Sequence, residues 1–172
     1  MKLYHTPGAC SLAPHIALRE AGLEFSLVRV DLRSKTMEDG GDYLRINLAG
    51  AVPALDLGNG EVLTENAVIL QYVAELVPSA KLLPQSGLER YRVLEWIGFI
   101  ATELHKGFAP LFNPQASEDL KAATREKIGT KLDLVQERLG DGDYVRGPRF
   151  TAADAYLFTI LRWTDGNGIA LS

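Results

Sequence analysis

Met1-Lys2-Leu3-Tyr4-His5-Thr6-Pro7-Gly8-Ala9-Cys10-Ser11 opens the chain. Residues 2–5 are extended in character, and Thr6-Pro7-Gly8-Ala9 interrupts them, because Pro and Gly punctuate regular structure. A helical pattern follows from Cys10 or Ser11 to Ala21, with Leu12, Ile16 and Arg19-Glu20 at amphipathic spacing and Gly22 as its stop. Phe25 to Leu32, rich in Val, Leu and Phe, reads as a second strand. A helix between two strands implies a parallel pair with a right-handed crossover.

Outward from this unit the pattern changes. Residues 38–46 read as weakly helical. Ala51 to Leu57 is a strand that starts near Pro53, where a missing N–H is tolerated. A cis Val52–Pro53 bond would leave the Val52 N–H and C=O free to pair with an extended ligand. Gly58-Asn59-Gly60 is a hairpin turn, and Glu61 to Thr64 returns as its partner strand. Asn66 reads as the cap of a helix whose Val68, Ile69, Tyr72, Val73 and Leu76 recur on one side, until Pro78 ends it. The order β-α-β, weak helix, β-β-α predicts a small mixed sheet flanked by helices over residues 1–78, the thioredoxin-like arrangement.

Residues 79–87 read as a linker, and residues 88–172 as all helix. Glu89 to Phe112 reads as one long helix with Leu94, Ile97, Ala101, Leu104 and Phe108 in a stripe. On it Glu95, Gly98, Thr102 and His105 would share a second, small or polar face. Residues 117–139 form another, with Leu120, Ile128, Leu132 and Val135. Thr151-Ala152-Ala153-Asp154 is a capping box opening a mostly apolar helix to Trp163. The fold class is therefore an α/β N-terminal domain followed by an all-α domain.

Composition narrows the function. The 172 residues carry a net charge of −4 and are 47% hydrophobic, which fits a folded globular chain without a basic stripe for nucleic acid. No apolar run reaches the ~20 residues of a membrane span. The N-terminus has no signal-peptide pattern, so a cytoplasmic protein is expected. One cysteine, Cys10, excludes dithiol chemistry and multi-cysteine zinc sites. Cys10 lies where a turn enters a helix, a position that favours a thiolate, although a buried free cysteine can equally be a core residue. Ser11 is either a helix cap or a donor to a bound sulfur. Glu65-Asn66 precedes a helix and either caps it or seats a ligand carboxylate beside a ligand ammonium held by Glu65. His105 is either a solvated surface residue or part of a cleft with Lys106. His5 and His15 are given structural roles only.

Met1-Lys2-Leu3-Tyr4, Pro7 to Glu20, Val52-Pro53-Ala54-Leu55, Leu63-Thr64-Glu65, Glu103-Leu104-His105-Lys106-Gly107-Phe108 and Phe150 to Phe158 together resemble the bacterial beta-class glutathione S-transferases. The resemblance runs from residue 1 to about 163. It implies a homodimer that conjugates the co-substrate glutathione to small hydrophobic electrophiles, a detoxification chemistry. It also implies thiol–disulfide exchange through Cys10. Carried over, Cys10 sits near the glutathione sulfur, Val52 pairs with the cysteinyl backbone, and Glu65 and Asn66 hold the γ-glutamyl end. Lys35, His105 and Lys106 contact the glycyl or thiol side. Cys10 and His105 form the implied catalytic pair. Ser11, Lys35, Val52, Pro53, Glu65, Asn66, Glu103 and Lys106 form the implied glutathione-binding set, with no metal.

Several positions depart from the family pattern. His5 stands where relatives usually carry Tyr, Gly98 where many carry Asn, and Asn66 where a smaller residue is common. Relatives continue past the Trp163 region with further helix. The last helical segment is therefore expected to be missing, leaving parts of Tyr156, Leu157, Ile160, Leu161 and Trp163 exposed and lowering stability unless assembly compensates. Two other functions remain compatible: a non-catalytic glutathione-binding or dimerisation module, and a glutaredoxin-like reductase.

Overall fold

The computed structural model describes residues 1–171. It divides into two compact units, Met1–Gln85 and the residues from Ser86 onward.

In the first unit β1 (Lys2–His5), α1 (Leu12–Glu20), β2 (Ser26–Asp31), β3 (Thr36–Met37), β4 (Ala54–Asp56), β5 (Val62–Thr64) and α2 (Asn66–Leu76) follow one another. The sheet order is β3-β2-β1-β4-β5, with β1 and β2 parallel and the other neighbours antiparallel. Register puts Leu27, Leu3, Leu55 and Leu63 side by side across four strands. Such cross-strand neighbours share one face of the sheet, and Leu3 and Leu55 on it are wholly buried. On the opposite face Tyr4 packs with Val30, Tyr43, Val52 and Ala54. The Tyr4 and Tyr43 rings lie 5.6 Å apart. Alternation along β1 thus sends Leu3 and Tyr4 into two different cores. Helices α1 and α2 pack against each other and bury Ala13, Ala17, Leu18, Ile69, Leu70 and Val73.

The weak helix expected over 38–46 is only a 3-10 turn, Tyr43–Arg45, opened by Asp42, whose carboxylate accepts the Leu44 N–H at 2.9 Å. Strand β3 was not anticipated, being only two residues long. In the 79–87 segment Leu82 and Leu83 are buried.

The second unit contains α3 (Leu88–Phe99), a π-helical segment (Ile100–His105), a 3-10 turn (Lys106–Phe108), α4 (Ala109–Phe112), α5 (Glu118–Leu139), α6 (Ala152–Leu161) and α7 (Trp163–Asn167). The single helix expected from Glu89 to Phe112 is therefore broken. Pro110 cannot donate to the carbonyl four residues back and its ring crowds that carbonyl, so a uniform α-helix cannot run through it. The wider and then tighter turns before Pro110 also change the register. Glu95, Gly98 and Thr102 stay exposed while His105 turns inward, so the four do not share a face as expected. The buried stripe includes Val93, Trp96 and Ile100, and Leu120 of α5 is 49% exposed rather than buried. The guanidinium of Arg138 lies over both Trp96 and Phe99, at 5.7 and 5.2 Å from their ring centres.

Helix α6 packs on α3 and on the π-helical segment. Tyr156, Leu157 and Ile160 are consequently buried, against the expectation of partly bare surface, because these neighbours in the same unit cover them, while Leu161 and Trp163 are half-buried. Phe158, on the other side, is 54% exposed. The entry to α6 is built on one carboxylate. Asp154 accepts the Thr151 N–H and hydroxyl, each at 2.7 Å, and the Val145 N–H at 2.8 Å.

Replacing Asp154 with Ala strands three buried donors at once. Unsatisfied buried donors and a lost cap each cost on the order of 1–2 kcal/mol, so Asp154→Ala is expected to lower unfolding stability by about 3 kcal/mol or more. Urea unfolding followed by far-ultraviolet circular dichroism measures this. A loss under ~1 kcal/mol, the size of an ordinary surface substitution, would contradict it.

Candidate functional site

The turn between β1 and α1 is closed by its own backbone, with Ala9 N–H to Thr6 O at 3.1 Å and Leu12 N–H to Ala9 O at 3.2 Å. Ser11 is almost wholly buried, and its hydroxyl accepts the Thr6 N–H at 3.2 Å and donates to the Thr6 carbonyl at 3.3 Å. It makes no side-chain cap for α1. Ser11 therefore pins the turn that carries Cys10. The Thr6 hydroxyl extends this anchorage to β2, donating to Val30 O at 2.7 Å.

Cys10 is buried, and its thiol donates to the Val52 carbonyl at 3.2 Å. The Val52–Pro53 bond is cis. The Val52 carbonyl was expected to be free for a ligand. The thiol occupies it instead, because the turn and the loop before β4 bring the two together. That contact favours a protonated Cys10, since only S–H can donate.

The same loop is tied by two further carbonyls. Lys35 Nζ donates to Gly50 O at 2.8 Å. The Tyr43 hydroxyl and the Asn47 amide both donate to Ala51 O, each at 2.8 Å. Burial pushes the Tyr43 phenol up to about 12, so it stays a donor at neutral pH. Lys35 and Gly50 both have left-handed backbones. A Cβ on Gly50 would come within 3.0 Å of the Lys35 side chain, so glycine is what lets the lysine lie along the loop. Lys35 thus holds the loop, and the contact to the glycyl end of glutathione expected of it stays a proposal. Tyr43 and Asn47 escaped notice in the sequence because neither sits in a recognisable motif.

At the start of α2, Glu65 is exposed and adopts φ 68, a left-handed conformation uncommon outside glycine. Backbone held there costs on the order of 1 kcal/mol and concentrates at functional positions. Asn66 was expected to cap α2 but is its first helical residue, and the Glu65 carbonyl accepts the Ile69 N–H at 3.0 Å. Asn66 is 96% buried, and its Oδ1 has no hydrogen-bond partner. A buried acceptor left open costs ~1–3 kcal/mol, so a site that supplies a donor gains by it. The first N–H groups of α2 lack intrahelical acceptors, and no acidic side chain occupies its first turn. An exposed carboxylate, an open amide oxygen and a helix N-terminus at one point suit a ligand that carries both an ammonium and a carboxylate.

Glu103, His105 and Lys106 lie in the second unit. His105 Nδ1 is 2.6 Å from the Tyr156 hydroxyl. Its ring meets the edges of Tyr156 and Trp163 at 5.8 and 5.2 Å. Burial, and secondarily the charge of Lys106, push His105 down to about 4. Glu103 is paired with Lys131 at 2.6 Å, and that hydrogen bond and charge hold its carboxyl below the usual range. Lys106, Glu103, Thr102, Thr124 and Lys127 line a cleft of about 240 Å³. His5 and His15 are pushed down chiefly by burial. His15 packs edge-on against Phe25 at 5.5 Å, in keeping with a structural part.

A mixed sheet whose β1 leads through a cysteine-bearing turn into a helix, followed by a helical unit, defines a thiol-handling protein of two parts. Residues 8–76 match the glutathione S-transferase N-terminal domain and residues 99–171 the C-terminal domain. The chain is 53% identical over 164 residues to the glutathione S-transferase GstA of Escherichia coli O157:H7, covering 95% of this chain and 82% of that protein. It is also similar to a beta-class glutathione S-transferase of Sphingomonas chungbukensis (46% identity, TM-score 0.95, 99% of this chain and 85% of that one). A sphingomonad glutathione S-transferase solved in complex with glutathione gives the same identity, TM-score and coverages. The chain belongs to the glutathione S-transferase family, with the bacterial beta class.

A folded-state pKa near 4 against about 6.5 in the unfolded chain means that the unfolded state binds more protons between these values. His105 therefore contributes a loss of stability as pH falls from about 6.5 toward 4, and none above that window. Titration of the His105 ring by nuclear magnetic resonance should show a midpoint well below 6, whereas a midpoint near 6.5 would contradict the buried neutral ring.

Proposed function

We propose that this chain is a glutathione transferase that conjugates glutathione to small apolar electrophiles. The observation that carries the reading is exposed Glu65 at the start of α2, whose first turn holds no acidic side chain and whose Asn66 Oδ1 is unpaired. The γ-glutamyl end of glutathione offers an ammonium for Glu65, a donor for Asn66 and a carboxylate for the helix N-terminus. The cysteinyl backbone of glutathione would pair along Val52 and Pro53, next to Cys10 and the turn that Ser11 holds. His105, as a catalytic residue, and Lys106 and Glu103, as glutathione-binding residues, are the second unit's part of the proposal, and there Glu103 pairs with Lys131. In the reaction the glutathione thiol loses its proton, its sulfur attacks the electrophilic carbon, and a leaving group such as halide departs with the bonding pair. Binding holds thiolate and electrophile together, and donors to the sulfur lower its pKa.

A second activity rests on Cys10 leaving its hydrogen bond to the Val52 carbonyl and losing its proton. With a mixed disulfide of glutathione, the Cys10 thiolate attacks the glutathione sulfur and expels the other thiolate. A second glutathione thiolate then attacks the Cys10 mixed disulfide, releasing oxidised glutathione and restoring Cys10. A homodimer in the cytoplasm completes the proposal. Exposed Leu48, Leu88 and Tyr91 are apolar surface that a second copy would cover. Gly98 leaves its neighbourhood open, with no atom within 4 Å of a would-be Cβ. No described helix is long and apolar enough to cross a membrane.

The test is conjugation of glutathione to chlorodinitrobenzene followed by absorbance. Glu65→Gln is expected to raise KM for glutathione about tenfold, the equivalent of one charge-assisted contact, with kcat within about twofold. Cys10→Ala should abolish exchange with a glutathione mixed disulfide while leaving glutathione binding in place. No turnover by the wild-type protein on any electrophile, with glutathione still bound, would replace the transferase reading with that of a binding module. Exchange that persists in Cys10→Ala would remove the role given to Cys10.

A further inference from the structure

One short polar contact of the second unit lies inside an apolar cluster. Tyr156 is 1% exposed, on a helix that otherwise buries Ala, Leu and Ile together with Asp154 and Thr159. Its hydroxyl is 2.6 Å from His105 Nδ1. Trp163 flanks the imidazole at 5.2 Å, and Phe108 and Phe112 pack on Trp163 at 5.5 and 5.1 Å. The π-helical segment ends at His105, and its changed register turns the imidazole toward α6. Two residues before Tyr156, the Asp154 carboxylate locks the start of α6 to Thr151 and Val145. Both partners of the contact are thus set by backbone features, and the ring has little freedom to rotate away.

We propose that Tyr156 is a positioning residue that holds His105 in a single tautomer, with Nδ1 accepting and Nε2 carrying the proton. The argument is one of matched acidity. A phenol is a stronger donor than an imidazole N–H, and an imidazole nitrogen is a stronger acceptor than a phenol oxygen. At 2.6 Å the bond is short for O–H to N, so the stronger donor and the stronger acceptor face one another. His105 is then a neutral ring whose free end is an N–H. Such a group donates a hydrogen bond to an anion and cannot act there as a base. The kinetic part of this inference rests on the reading of the chain as a transferase with His105 in its site; the tautomer does not.

The experiment uses the full chain labelled with nitrogen-15 histidine, in the presence of reduced glutathione at neutral pH. Long-range proton–nitrogen correlation spectra distinguish the two neutral tautomers, and His105→Gln assigns the His105 signals by their disappearance. The expected wild-type pattern is one tautomer with an unprotonated Nδ1, and the expected Tyr156→Phe pattern is a mixture. Tyr156→Phe should also lower kcat on chlorodinitrobenzene about tenfold with KM for glutathione within about twofold. His105→Gln, whose amide N–H reaches roughly where Nε2–H lies, should keep at least about ten times the rate of His105→Ala.

A wild-type ring protonated on Nδ1, or a tautomer unchanged in Tyr156→Phe, overturns the proposal. Because the wild-type spectrum decides the tautomer by itself, a variant that fails to fold does not rescue the idea. A Tyr156→Phe enzyme with the mixed pattern and an unchanged kcat overturns the positioning role. A wild-type protein with the expected tautomer and no conjugation activity sinks the transferase reading alone.

Discussion

The constraint on which the first unit depends is the capture of three successive carbonyls by side chains. Gly50, Ala51 and Val52 lead into β4, and their oxygens are taken by Lys35, by Tyr43 with Asn47, and by Cys10. A loop outside the sheet ladder must satisfy its backbone somewhere, and here residues from four different places in the chain do so. The same bonds fix the spacing between the Cys10 turn and the Val52–Pro53 segment. Tyr43 serves twice, as it also fills the core under β1 beside Tyr4. Packing and polar satisfaction therefore support the same geometry, which is the condition for a site to be rigid before its ligand arrives.

Within that frame one element is left incomplete. The Gly50, Ala51 and Val52 carbonyls have their donors, yet Asn66 Oδ1 at the head of α2 is buried without one. Native structures rarely leave such an atom unpaired, which sets the head of α2 apart from the loop before β4. The left-handed Glu65 beside it has the same character, a local cost retained where a charged side chain must be aimed outward. The second unit is organised differently. There Asp154 closes one helix entry completely, and the break in the α3 to α4 run gives His105 a neighbour it could not have reached from a uniform helix.

Much of the first unit was legible because its signals are local. The Pro7-Gly8 turn, the hydrophobic runs and the Gly58-Asn59-Gly60 hairpin each act over a few residues, and β1, β2, β4 and β5 fall inside the predicted strands. The capping box of Thr151 and Asp154 was equally plain, since its spacing is dictated by one turn of helix. What escaped depended on contacts distant in sequence. Nothing around Val52 announces that its oxygen meets the thiol of Cys10, and nothing around Lys35 announces Gly50. The π-helical segment was invisible because periodicity over Leu94, Ile97, Ala101 and Leu104 fits an α-helix almost as well. The bare surface expected at Tyr156, Leu157 and Ile160 failed for a related reason, as the partners that cover them lie more than 50 residues earlier in the chain. For the site, the residue types were readable and their partners were not.

The claim that the head of α2 is a seat for a γ-glutamyl group is tested most directly by calorimetric titration with two ligands, reduced glutathione and the dipeptide cysteinylglycine. Both carry the thiol and the glycyl carboxylate, and only glutathione carries the γ-glutamyl end. The account predicts saturable one-to-one binding of glutathione per chain and no measurable binding of the dipeptide under the same conditions. Equal affinity for the two, or no binding of glutathione by the folded protein, would contradict it.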